Sequence, residues 1–101
     1  MEEVTYQKTA QDVKEYFPYG AVLVQDNVPP IELINLEVRT SERNATILTG
    51  WAYPNKNFSF ELDNVLPQKK GWLVFSGGKR VVLRPLSEAR YKVAQELADT
   101  A

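Results

Sequence analysis

The chain contains neither histidine nor cysteine, and these two absences remove most of the chemistry open to a small protein. They exclude Ser-His-Asp and Cys-His nucleophiles, and with them every His/Cys site for zinc, haem or an iron–sulfur cluster. They also remove the side chain best matched to proton transfer near neutral pH. Catalysis would have to rest on Asp, Glu, Lys, Tyr and Ser. Glu61 and Asp63 share one face of an alternating run, about 7 Å apart at ~3.3 Å per strand residue. Paired carboxylates can act as acid and base in glycoside cleavage, but on such a run a solvated strand face is the simpler reading. Asp26-Asn27 and Asp63-Asn64 are the tight acid–amide pairs; neither resembles a calcium loop, and both read as turn residues. The expectation is a protein that is not an enzyme and carries no cofactor and no metal.

Residues suited to contact remain. Ser76-Gly77-Gly78-Lys79-Arg80 places glycine amides beside two cations, the ingredients of a small anion nest. It lacks the spacing and the following helix of a phosphate-binding loop, so a hairpin turn explains it. Lys69, Lys70, Trp72, Lys79, Arg80 and Arg84 fall on one expected hairpin. With Trp72 or Phe75 facing outward, such a sheet could stack bases and contact phosphates. Lys69 and Lys70 sit at the opposite end of that hairpin from Lys79, and an acidic pI of about 5.4 is far from the basic balance of a dedicated nucleic-acid binder.

For protein partners the candidates are Tyr16, Tyr19, Trp51 and Tyr53, with Trp72, because Trp and Tyr are enriched at interface hot spots. Core packing is the favoured reading for Trp51 and Trp72. Tyr16-Phe17-Pro18-Tyr19 sets three aromatics in four positions, which cannot all point inward. An outer strand could also pair with a partner's strand. The leading expectation is therefore a small non-catalytic protein-binding or regulatory module acting through a sheet face or edge, with a protein partner or self-association. The alternative, from another class, is a nucleic-acid-binding domain using the hairpin from Lys69 to Arg84.

These residues must be held by one small fold. A chain of 101 residues matches a single domain, and at this size roughly 65% of the unfolded surface can be buried without disulfides or metals. The opening Met1-Glu2-Glu3-Val4-Thr5 has no basic or apolar signal region, and the longest apolar run, Ala21 to Val24, is far below the ~20 residues that cross a bilayer. A cytoplasmic location and no membrane association are expected. Asn44-Ala45-Thr46 and Asn57-Phe58-Ser59 match the glycosylation sequon but read as ordinary turn residues. Charge is uneven: residues 1–64 carry five cations and ten acids, a balance of −5, whereas residues 65–101 carry seven and three, a balance of +4. This asymmetry fits an anionic partner or complementarity inside the folded domain.

The expected elements follow from periodicity. Thr9 is a helix N-cap with Asp12 completing a capping box, and Ala10, Val13 and Phe17 form a short apolar stripe that Pro18 and Gly20 end. From Ala21 the period becomes two. Apolar runs cover Ala21 to Gln25, Ile31 to Thr40, Ala45 to Tyr53, Phe58 to Asp63, Trp72 to Phe75 and Arg80 to Arg84. The second run changes phase, so a bulge is expected near Leu33-Ile34, and Gly50 marks a bend or a close backbone approach. After Pro85, Ser87 is an N-cap with Leu86 stapling onto Tyr91, and Ala89, Val93, Leu97 and Ala101, joined by Ala94, form the apolar stripe of a terminal helix. The expected architecture is a single α+β domain over residues 1–101: about five antiparallel strands in a meander, as a curved sheet or small barrel, flanked by a short N-terminal and a C-terminal helix.

Overall fold

A computed structural model describes residues 5–100. Residues 1–4, read above for targeting, and Ala101, the last position of the expected terminal stripe, lie outside the described residues. The order is α1 (Ala10–Tyr16), β1 (Ala21–Gln25), β2 (Val28–Thr40), β3 (Thr46–Ala52), β4 (Lys56–Gln68), β5 (Gly71–Ser76), β6 (Lys79–Pro85) and α2 (Glu88–Thr100). Every apolar run between the helices forms a strand, so the count is six. Each strand pairs antiparallel with its neighbours in sequence, and β1 closes onto β6 to complete a barrel. Closure corrects the expectation of a sheet edge open to a partner, because β1 and β6 satisfy each other's ladder.

Alternation fixes what the barrel encloses. Leu23, Leu33, Leu48, Phe60, Leu62, Val74, Val81 and Leu83 point inward and are at most 2% exposed. Burying each contributes roughly 1.5–3 kcal/mol. Gly50 also faces inward; a methyl there would come within 3.0 Å of Leu36 Cδ2 and 3.3 Å of Leu33 Cβ, which is the close approach its position suggested.

The helices are where sequence places them. Thr9 caps α1, with its side chain accepting from the Asp12 amide and the Asp12 carboxylate accepting from the Thr9 amide. Val13 and Phe17 join the barrel core, and the helix stops before Pro18. Ser87 Oγ accepts from the Arg90 amide at 3.2 Å. Leu86 and Tyr91 pack in one cluster, as the staple requires.

The bulge lies one residue beyond its expected place. Ile34 pairs with Trp51 and Glu37 with Thr49, which leaves one extra residue in β2, and Asn35 takes it up at φ 56°. Leu33 therefore faces the barrel interior while Ile34 faces outward beneath α2. Ile34 is thus the apolar exception on an outward face otherwise made by Glu32, Glu37 and Arg39, and it is buried because the helix covers it. Gly20 brings the pieces together: at φ 119°, with a Cβ position 2.4 Å from the Leu33 carbonyl oxygen, the site admits only glycine. Its own carbonyl accepts from the Leu86 amide at 3.0 Å.

Candidate protein-binding surface

Helix α2 crosses the outer face of β2 with one member of its expected stripe, Ala94, down. Ala94 is buried, and Tyr91 and Ala98 pack with it against Ile34, Val22 and Trp51. The anticipated stripe of Ala89, Val93 and Leu97 instead faces solvent, with Val93 39% and Leu97 40% exposed. The reason is steric. Alanines at positions 94 and 98 let the helix axis approach the sheet, and the broad rings of Trp51 and Tyr91 fill the space beside it. The outward stripe is continued by the barrel, since Leu97, Pro30, Trp51 and Tyr53 line a cavity of about 280 Å³ between α2 and the sheet. Tyr53 is 53% exposed and Val28, at the start of the same strand as Pro30, is 44% exposed.

One ion pair fixes this helix in register. Arg90 Nε and Nη2 donate to the two carboxylate oxygens of Glu32, both at 2.7 Å. The Arg90 hydrogen bond holds the Glu32 carboxyl below its ordinary 4.5, against the opposing effect of partial burial. On the outer side of α2, Lys92 Nζ lies 3.8 Å from Glu88.

The four aromatic candidates separate. Trp51 is half-buried outside the barrel rather than in its core, with Nε1 donating to Asn55 Oδ1 at 3.4 Å. Tyr53 lies beside it. Tyr19 flanks the other end of α2, its ring 6.1 Å from that of Tyr91. Tyr16 is not part of this surface. It stacks on Trp72 at 5.3 Å near α1, and Phe17 meets Trp72 edge-on at 4.7 Å. Sequence reasoning missed Val93 and Leu97 as surface residues. The signal was present as a second helical set, Tyr91, Ala94 and Ala98, offset from the first.

The nucleic-acid set does not form one patch. Trp72 is 6% exposed, closed in by Tyr16 and Phe17 with Lys8 Nζ 5.4 Å from its ring centre, so it presents no face to a base. Phe75 faces outward and half-buried, but one cross-strand neighbour is the acid Glu61 and the other Arg80. Lys69 and Lys70 precede Gly71 at one end of β5, near Arg84, whereas Lys79 and Arg80 lie at the other. Four strand residues, roughly 13 Å, separate Arg84 from Arg80, and the lysines of the two groups lie farther apart still.

The two carboxylates of β4 have different surroundings. Asp63 accepts from the Thr46 amide at 3.1 Å and from Gln7 Nε2 at 3.1 Å, tying the N-terminal segment and the start of β3 to β4, while Glu61 stays on the exposed face. Among the described residues, no three acidic side chains converge within metal-ligating reach. None of the described helices is long and apolar enough to cross a membrane. Comparison with models of known protein families, with curated proteins and with solved structures finds no match for this chain.

Proposed function

We propose that this protein is a non-catalytic protein-binding module whose contact surface is the outer side of α2 together with the adjoining face of the barrel. The observation that carries the reading is the placement of Val93 and Leu97, large apolar side chains left in solvent on a helix whose other apolar side is already docked. With Tyr53 and Pro30 alongside, they supply the apolar centre and aromatic anchor that interfaces use. The lack of histidine and cysteine, and the engagement of Asp63 in backbone hydrogen bonds, support contact rather than bond-making as the mode of action. A regulatory or accessory role in the cytoplasm is the form we favour for such a module.

A photo-crosslinker at position 93 tests this reading against one at Ser59, an exposed position on β4. The expected result is a protein adduct at position 93 that disappears when Leu97→Asp is added and is absent at position 59. Equal yields at both positions, or none at either, would remove the proposal.

A further inference from the structure

We infer that the cavity beside Trp51 binds a short neutral oligosaccharide, with the indole as the platform for a sugar ring and side-chain amides reading its hydroxyls. This goes beyond the protein-binding reading and does not depend on it.

The cavity lies on the outer face of β2, β3 and β4, where Ala98 of α2 meets the sheet. Its volume of about 670 Å³ falls within the range of small-molecule sites. Strand register sets its wall. Trp51 pairs with Asn57 on β4, and Thr49, two residues earlier on the same face, pairs with Glu37 on β2. The bulge residue Asn35 and, from the turn after β3, Asn55 add two further amides. The polar groups stretch across three strands, roughly 10 Å at ~4.8 Å per spacing, the length of about two linked sugar rings.

The chemistry of the wall selects the ligand. Asn35, Asn55 and Asn57 each offer donors and an acceptor, Glu37 accepts, and Thr49 does both. Sugar hydroxyls also donate and accept, so they match every member of the set. Among the described residues, none hydrogen-bonds to the side chains of Asn35, Glu37 or Asn57. Asn55 Oδ1 accepts from Trp51 Nε1 at 3.4 Å, which steadies the ring and leaves the Asn55 amide nitrogen for a ligand. Trp51 is half-buried, so part of its face remains to pack on the apolar C–H side of a sugar.

Other ligand classes fit less well. Among the described residues lining the cavity, Glu37 alone is charged. An anionic ligand therefore meets repulsion, and a metal ion meets a single carboxylate. An apolar ligand would strip water from the amides without replacing its hydrogen bonds. A nucleoside combines a stacking face with polar edges, but one base does not reach from Asn57 to Glu37.

Proton–nitrogen correlation NMR of the isotope-labelled full chain tests this, with maltotriose, cellotriose, chitotriose and mannotriose as probes. At least one of them is expected to shift the Trp51 indole N–H and the Asn55 and Asn57 side-chain amides saturably. The indole of Trp72, 6% exposed, should stay in place. Asn57→Ala and Glu37→Ala, at exposed positions, should each weaken that binding about threefold or more, with the rest of the spectrum confirming the fold. Glu37→Gln should keep most of the affinity, because a neutral ligand needs the acceptor and not the charge. No shift from any of the probes at ~10 mM, or binding that both alanine variants leave unchanged, overturns the proposal. Adenosine or uridine binding these residues more tightly than every saccharide overturns the ligand class. Val93 does not line this cavity, so the crosslink there reports on the protein-binding surface separately.

Discussion

Arg90 and Glu32 join the last helix to the second strand, and the capping pair Thr9–Asp12 closes the first helix; both depend on an ionised carboxylate. Arg90 keeps the Glu32 carboxyl below 4.5, and hydrogen bonds from the Thr9 backbone, then from its side chain, keep Asp12 below 3.8. An unfolded chain takes up these protons at the ordinary values, the folded chain only at lower pH. Their stabilisation is therefore complete above about pH 4.5 and is lost as pH falls through the lowered values. Urea midpoints measured from neutral pH down through the carboxylate range should decline on the acid side. Glu32→Gln should remove its share of that slope while lowering the neutral-pH midpoint modestly, because both partners are substantially solvated. The capping pair was legible from sequence, since Thr9 and Asp12 are three residues apart and their geometry is local. The ion pair was not, because 58 positions separate its members and only the docking of α2 onto β2 brings them together.

At the scale of the element, α2 shows what periodicity leaves open. A helix bearing Ala89, Val93 and Leu97 as well as Tyr91, Ala94 and Ala98 has two apolar sides, and spacing alone does not rank them. The sheet ranks them, because Ile34 and Trp51 present an outer surface that only small residues can approach closely. Truncating the platform should accordingly matter more than truncating the exposed stripe. Ile34→Ala is expected to cost about 2–4 kcal/mol of unfolding free energy and to lower amide protection in α2 beyond that in the strands. Val93→Ala, on the solvent side, should stay within about 0.5 kcal/mol for the monomer. Equal losses from the two variants in urea unfolding would contradict the observed helix orientation. β2 carries the same lesson: its change of phase announced a bulge, but the position at Asn35 follows from Ile34 having a helix to pack against.

For the whole molecule, closure and charge distribution decide what the surface can do. The barrel joins β1 to β6, so residues some sixty positions apart share a ladder and no continuous edge remains at that seam. The cations of the second half do not converge: Lys69, Lys70 and Arg84 lie at one end of β5, Lys79 and Arg80 at the other. Part of the asymmetry between the halves is internal, since Glu32 of the first half binds Arg90 of the second. A fluorescence titration with single-stranded DNA or RNA at low salt should therefore give no salt-sensitive complex. Tight binding that weakens steeply with salt, and that Lys79→Ala abolishes, would establish the nucleic-acid reading in place of the protein-binding one. Local chemistry let the sequence by itself determine the helix caps, the antiparallel strands and their turns, and the absence of histidine and cysteine chemistry, because each of these depends on residues within a few positions of one another. Tertiary structure alone decided the closure of the barrel, the packing of Tyr16 and Phe17 on Trp72, the placement of Trp51 outside the barrel core and the outward turn of Val93 and Leu97. Each of these is a choice between surfaces of similar composition, and the packing of distant segments makes that choice.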